Sequence, residues 1–352
     1  MIRTNINLDL IEEYKPSNRV GGEDIKKLDW NECNLPYDEK YSKILSSSLS
    51  SINYTEYPNI NNQNLINKLS AYCGVNNNNV QIFNGSDSSL HYIFATFLNK
   101  DTSVLIYYPN YSQIETYIKL YSNNVYHSKI NDLFGVHEYN FYDIIHHDII
   151  YISNPNNPTG YCLDPEIIEK FLKKYPNKLF IIDEAYYEFS NKSCSKFVNT
   201  YKNIIVTRTF SKAFSLASIR LGYICANEDL MKSINKIRNT KEVNSFAQKL
   251  GEVALDNINY IKDRIDVIKK NRLKMEEMLS NNNIKFIKSD ANFILIKVPN
   301  SKKIINELSN QKILVRDRSM FDGLENTIRV TIGEWSDMEI IIKTILEQNE
   351  NR

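Results

Sequence analysis

The chain has 352 residues, 42% of them apolar, and a formal net charge of +1. That length supports one large domain plus a smaller one around a sizeable core, and a near-neutral charge argues against nucleic acid or a polybasic membrane surface as partner. No apolar run reaches the roughly 20 residues that span a bilayer, and the N-terminus lacks a signal peptide's apolar core.

Five scattered cysteines (Cys33, Cys73, Cys162, Cys194, Cys225) show no C-x-x-C spacing. They fit a reducing cytoplasm better than a disulfide frame or a zinc site. His146-His147 is the single histidine cluster and reads as surface loop, so no metal is expected. The Asn76–Asn79 run and the serines of 46–51 reflect overall composition and suit turns and helix ends.

Residues 1–40 alternate without long periodicity, and Tyr14-Lys-Pro-Ser and Val20-Gly-Gly are turn signals, so this segment reads as an arm. A strand-to-turn stretch, Lys27 to Pro36, carries Asn31, either a substrate-side amide or a turn asparagine. Tyr54-Thr-Glu-Tyr57-Pro58 precedes a helix expected over 61–72. Gln81-Ile-Phe ends a strand. Asn84-Gly85-Ser86-Asp87 opens a helix whose Leu90, Ile93, Phe94, Phe97 and Leu98 share one face. Ser86 or Asp87 is the expected cap. Glycine followed by a helix start offers N–H groups to an anion, the alternative being an ordinary capped helix.

Strands and helices then alternate. Strands are expected over 104–108, 148–153, 179–183, 204–207 and 220–226, with helices ending near 121 and 175. Such near-continuous apolar strands indicate an α/β fold with a mostly parallel sheet covered on both faces. Ligands of such sheets sit at strand C-terminal ends. Asn157, Asp183, Tyr186 and Lys212 all fall there. Lys212, flanked by Thr209 and Ser211 and followed by Arg220, has surroundings suited to a covalently held aldehyde cofactor bearing a phosphate. Taken alone, it also reads as a loop lysine.

From about residue 250 one long charged helix is expected to reach 281. Strands over 292–298, 313–316 and 327–333, a helix from about 302 and a terminal helix then suggest a smaller α+β domain. The expected division is an arm over 1–40, a large domain over 41–250 and a small domain over 251–352.

Asn31-Glu, Glu56-Tyr57-Pro58, Asn84-Gly-Ser-Asp87, Pro109-Asn-Tyr111, Asn154-Pro-Asn-Asn-Pro-Thr-Gly160, Asp183-Glu-Ala-Tyr186, Ser211-Lys-Ala-Phe214, Arg220-Leu-Gly222 and Arg329-Val-Thr-Ile-Gly333 occur in one order. That order resembles the fold-type I pyridoxal-phosphate aminotransferases, most closely the histidinol-phosphate aminotransferases, over nearly the whole chain. The resemblance implies pyridoxal 5′-phosphate as cofactor, held covalently by Lys212. It implies that Lys212, once displaced, moves a proton from the substrate α-carbon to cofactor C4′. Asp183 would pair with the ring nitrogen, Tyr186 and Asn157 with the 3-hydroxyl, and Tyr111 would stack on the ring. Gly85, Ser86, Thr209, Ser211 and Arg220 would hold the phosphate. Tyr57 would reach the neighbouring subunit's phosphate, which implies a homodimer. Arg329 would clamp the amino donor's carboxylate, and Tyr14 and Arg316 would meet the phosphate of a phosphorylated keto acceptor. The alternative for Arg316 is an ion pair with Asp317 or another acid.

Two stretches depart from the family pattern. Thr240-Lys241-Glu242 stands where a Pro-Tyr-Asn-like sequence is usual, and Asn-Gly-Ser-Asp is followed by Ser88 rather than Glu. The charged pair is expected near the substrate side chain, where it weakens the case for an imidazole group more than for a phosphate. A three-carbon phosphorylated ketone needs the phosphate contacts and no ring pocket. The implied function is transfer of an amino group, from glutamate or another amino acid, to a small phosphorylated ketone. A decarboxylase of serine or threonine phosphate is the alternative on the same cofactor residues. A regulatory module of this fold would carry a DNA-binding domain, for which the arm offers neither helix-turn-helix nor basic stripe.

Overall fold

The structure, a computed structural model, describes residues 8, 11, 24–135 and 137–350. A short strand β1 (Lys26–Lys27) precedes α1 (Glu39–Ser48), which Asp38 caps by accepting from Tyr41 N. Next, α2 (Gln63–Cys73) is capped by Asn62 and stopped by Gly74 at φ 68°, a left-handed turn that glycine adopts without strain. β2 (Val80–Phe83) runs into α3 (Gly85–Phe97). Then come β3 (Val104–Tyr108), α4 (Gln113–Lys119), β4 (Val125–Lys129), β5 (Ile149–Ser153), α5 (Pro165–Lys174), β6 (Leu179–Asp183), α6 (Tyr187–Ser190), β7 (Ile204–Thr209), β8 (Gly222–Ala226) and α7 (Glu228–Asn235).

The strands β2 to β8 form one seven-stranded sheet in the order β2-β8-β7-β6-β5-β3-β4. Within it β8 runs antiparallel to both neighbours and the other pairings are parallel. Successive residues feed two separate apolar cores, Ile150 and Ile152 on one face and Ile149 and Tyr151 on the other. This is why the strands read as unbroken apolar runs. β4 escaped the sequence reading because it is the edge strand, with Tyr126, His127 and Lys129 exposed.

Three local expectations are corrected. Helix α3 starts at Gly85 with Asn84 in the capping position and no side-chain cap, so Ser86 and Asp87 lie in its first turn. The long helix expected to 281 is two, α8 (Ser245–Asp256) and α9 (Ile258–Asn281), separated at Asn257 (φ −108°, ψ 33°). After β9 (Phe286–Ile287), β10 (Phe293–Lys297) and α10 (Ser301–Asn310), the strand expected over 313–316 is also two pieces. β11 (Ile313–Leu314) pairs with β1, whereas β12 (Arg316–Asp317) pairs with β13 (Thr327–Thr331) in a four-stranded sheet ordered β12-β13-β10-β9. The chain closes with α11 (Trp335–Glu350), which packs on α9 and α10.

Among the described residues no helix is long and apolar enough to cross a membrane, and no group of three or more His, Cys, Asp or Glu side chains is placed to hold a metal ion.

Candidate active site

The anion cradle forms where β2 ends beside β8. Gly85 has φ 81°, and a Cβ there would lie 2.6 Å from Arg220 Nη2. A Cβ on Gly222 would lie 2.5 Å from Ser86 N. Both positions need glycine, Gly85 for its backbone angle and Gly222 because a Cβ would strike backbone. Thr209 Oγ1 donates to Ser211 Oγ at 2.9 Å, and Arg220 Nη1 reaches Ser211 Oγ at 3.4 Å. Arg220 Nη2 also contacts Asp87 Oδ2 at 3.2 Å. Thus the structure brings Gly85, Ser86, Thr209, Ser211 and Arg220 together at the start of a thirteen-residue helix whose first N–H groups and positive dipole end favour an anion.

Beside the cradle lies a second group built on Asp183, which ends β6. Its Oδ2 accepts from Tyr151 OH at 2.7 Å and its Oδ1 from Ala185 N at 3.1 Å. Burial nevertheless pushes the Asp183 carboxyl up to about 6, because desolvation disfavours the charged form. A cation placed against it reverses that cost. Tyr151 was not singled out from the sequence; a lone tyrosine in an apolar strand was its only signal.

Tyr186 OH accepts from Asn31 Nδ2 at 2.9 Å and from Asn157 Nδ2 at 3.5 Å. Asn31 sits at φ 58° and is held by Thr331 Oγ1, which accepts its N–H at 3.0 Å. Lys212 Nζ donates to Trp30 O at 2.9 Å and lies 5.9 Å from the Tyr186 ring centroid. Burial, then the Arg329 charge, lowers Lys212 to about 8. That shift raises the neutral, nucleophilic fraction at pH 7 from about 0.03% to about 10%. Burial pushes the Tyr111 hydroxyl well up, and the nearby Asp87, Tyr186 and Asp183 groups add to the rise.

Arg329 comes from β13 in the C-terminal sheet. Its Nη1 donates to Asn157 Oδ1 and its Nη2 to Asp29 O, both at 2.6 Å, while Nε is buried without a hydrogen bond. Burial lowers Arg329 to about 10, and the neighbouring Arg316 charge lowers it too. Arg316 lies directly opposite Arg329 in the ladder. Tyr57 stands apart from this group, 77% exposed, with Lys241 Nζ 4.0 Å from its ring centroid. Tyr14 lies outside the described residues.

A glycine cradle with an arginine, a buried carboxylate short of a cation and a lysine with a lowered pKa together fit an aromatic aldehyde cofactor carrying a phosphate and a basic ring nitrogen. The family described as aminotransferase class I and II matches residues 25–345. The chain belongs to that family. It is a pyridoxal-phosphate-dependent aminotransferase of fold type I. It is 31% identical over 325 residues to the histidinol-phosphate aminotransferase of Caldanaerobacter subterraneus subsp. tengcongensis, covering 91% of this chain and 92% of the relative. It is 33% identical over 331 residues to a dihydroxyacetone phosphate transaminase of Campylobacter jejuni, covering 92% and 90%. The fold matches the Sinorhizobium meliloti histidinol-phosphate aminotransferase in complex with pyridoxal-5′-phosphate, with TM-score 0.87, 19% identity and coverage of 100% and 98%.

The two departures from the family pattern meet each other in this aminotransferase. Ser88 Oγ donates to Glu242 Oε2 at 2.6 Å, and the Asn84 N–H also acts on that carboxyl. Among the described contacts, Glu242 and Lys241 face α3 and Tyr57 rather than the Asn31–Tyr186–Arg329 group.

Proposed function

We propose that this aminotransferase moves an amino group from an amino acid, glutamate foremost, to a small phosphorylated ketone, either dihydroxyacetone phosphate or imidazole acetol phosphate. The observation that carries the reading is the convergence of Lys212, Asp183 and Tyr186 with Arg329 and Arg316 in one site. The two relatives act, by name, on histidinol phosphate and on dihydroxyacetone phosphate. Both transfer an amino group, which favours transamination over decarboxylation of a phosphorylated amino acid.

Pyridoxal phosphate supplies an aldehyde and an electron-accepting ring. The chain's own residues do the rest. Gly85, Ser86, Thr209, Ser211 and Arg220 hold its phosphate. Asp183 would pair with the ring nitrogen and favour its protonated form, Tyr186 and Asn157 would hydrogen-bond the 3-hydroxyl, and Tyr111 would cover the ring. The Lys212 amine would hold the aldehyde and, once free, would take and return the proton at the substrate α-carbon. Arg329 offers a fork to the α-carboxylate. Arg316 and Tyr14 meet the acceptor's phosphate, and Asn31 holds Tyr186 on the substrate side. Tyr57 serves the partner subunit's cradle in a homodimer. The large domain is 41–250 and the small domain 251–352, with 1–40 an arm, and the enzyme works in the cytoplasm, which suits five free cysteines.

The test has two steps. Glutamate added to the cofactor-loaded protein should abolish the absorbance of the lysine-bound cofactor. After excess donor is removed, dihydroxyacetone phosphate or imidazole acetol phosphate should restore it. Restoration by unphosphorylated dihydroxyacetone at equal concentration would sink the phosphate reading. No loss of absorbance with any amino donor, and carbon dioxide release from serine phosphate, would establish decarboxylation.

A further inference from the structure

The C-terminal sheet turns one face toward Tyr186, and its register determines what that face carries. Phe293 pairs with Thr331, and Arg316 with Arg329. The ladder continues one residue past β12, where Arg318 N donates to Thr327 O at 3.0 Å. Side chains alternate along strands, so Arg316, Arg318 and Arg329 share one face. The Phe293 ring packs edge-on to Tyr186 at 5.1 Å, and Arg329 Cζ lies 5.3 Å from that ring. Burial raises the Tyr186 hydroxyl, and the Arg329 and, more weakly, Arg318 charges oppose that rise. Asp317 alternates to the opposite face, where its Oδ1 accepts from Ser319 N at 2.9 Å.

Three guanidiniums on one face exceed what a single carboxylate needs. Arg329 is the deepest, at 3% exposure, and Nη1 and Nη2 each give one hydrogen, to Asn157 and Asp29, keeping the other for a carboxylate. Arg316 and Arg318 are half-buried and about 7 Å apart along the strand. That spacing lets two guanidiniums approach one tetrahedral group from two sides. A phosphate monoester carries close to two negative charges at neutral pH, whereas a carboxylate or a phosphodiester carries one.

We propose that Arg318 is a specificity-determining residue: with Arg316 it reads the second negative charge of the acceptor's phosphate, so that the site selects a phosphate monoester over singly charged analogues. The inference rests on the proposed phosphorylated acceptor.

The experiment uses the cofactor-loaded enzyme and two inert probes, glycerol 3-phosphate and its methyl phosphodiester, with binding followed calorimetrically. The native enzyme should prefer the monoester by 10-fold or more. Arg318→Met should weaken monoester binding by about 10- to 100-fold, the range of one lost charge-assisted hydrogen bond, and diester binding by less than about 3-fold. Arg318→Lys should keep part of the preference. Absorbance of the lysine-bound cofactor and thermal midpoint check that each variant is folded and loaded. Equal weakening of both probes in Arg318→Met, or no weakening of either, would overturn the role of Arg318. Failure of the native enzyme to bind either probe would instead remove the phosphorylated-acceptor reading beneath it.

Discussion

Ser88 Oγ donates to Glu242 Oε2 at 2.6 Å, joining the first turn of α3 to the loop that leads into α8. Two residues that look like separate anomalies in the sequence are therefore the two ends of one contact, beside the anion cradle. Where the family pattern has an acid at the helix position and an amide in the loop, this chain has a hydroxyl in the helix and the acid in the loop.

Glu242 should therefore behave as a structural acceptor. Burial raises its carboxyl above the usual range, so the charged form is the costly one at neutral pH. The sign follows: its contribution improves as pH falls and worsens as pH rises through the folded value. Glu242→Gln, which keeps an acceptor for Ser88, should leave the thermal midpoint unchanged or raise it at pH 7. Glu242→Ala strands the Ser88 hydroxyl and should lower stability by about 1 kcal/mol. The double exchange Ser88→Glu with Glu242→Asn should be closer to the native protein than Glu242→Asn alone. Thermal scans and cofactor titrations of the four variants check this.

Asp183 gives a prediction about the cofactor-free protein. Its folded value of about 6 lies above the 3.8 of a free aspartate. The folded state therefore holds the extra proton between those values, and stability falls as pH rises through that window. Asp183→Asn removes the cost and should stabilise the cofactor-free protein at pH 7 by about 1–3 kcal/mol. The same change should reduce turnover of the loaded enzyme by about 100- to 1000-fold, the scale of losing one preorganised charge at a reacting centre. Denaturant melts of both forms and steady-state rates decide it. Tyr151→Phe removes a donor that lowers Asp183, so the acid limb of the pH–rate profile should move to higher pH.

The Lys212 amine should capture cofactor faster as pH rises through about 8, because the neutral amine is the nucleophile. Arg329 is the largest electrostatic cause of that lowering after burial. Replacing it, as Arg329→Met, should move the midpoint upward. Stopped-flow absorbance against pH reads both midpoints. An unmoved midpoint would show that the two cations are not coupled.

Much of the site was legible because its residues sit at strand ends, where chain direction forces them together. Asp183 ends β6, and Asn157 and Lys212 follow β5 and β7, its two neighbours in the sheet. Residues that reach the site by other routes were harder to read. Tyr151 lies inside a buried strand, and Thr331 acts through Asn31. Arg318 becomes significant only through the β12–β13 register, which crosses a nine-residue loop that sequence periodicity does not bridge. The break at Asn257 was missed because apolar spacing in α8 and α9 continues across it, and a single asparagine is a weak stop signal.

Tyr57 leads to a prediction about assembly. It is 77% exposed and, in this chain, touches Lys241 rather than the anion cradle. Tyr54 and Phe246, 70% and 39% exposed, pack together nearby at 5.6 Å. An exposed aromatic patch of this kind suits burial against a second copy. If Tyr57 completes the partner's cradle, Tyr57→Ala and Lys212→Ala homodimers should both be impaired, for different reasons. In a mixed dimer the Tyr57→Ala subunit keeps its own Lys212 and receives Tyr57 from the Lys212→Ala subunit. One of the two sites is then intact. Mixing the variants under conditions that allow subunit exchange should restore activity toward one quarter of the native value, since half the dimers are mixed and each has one working site. Activity that stays at the sum of the two separate variants, with exchange verified by mass spectrometry, would place Tyr57 outside the shared site.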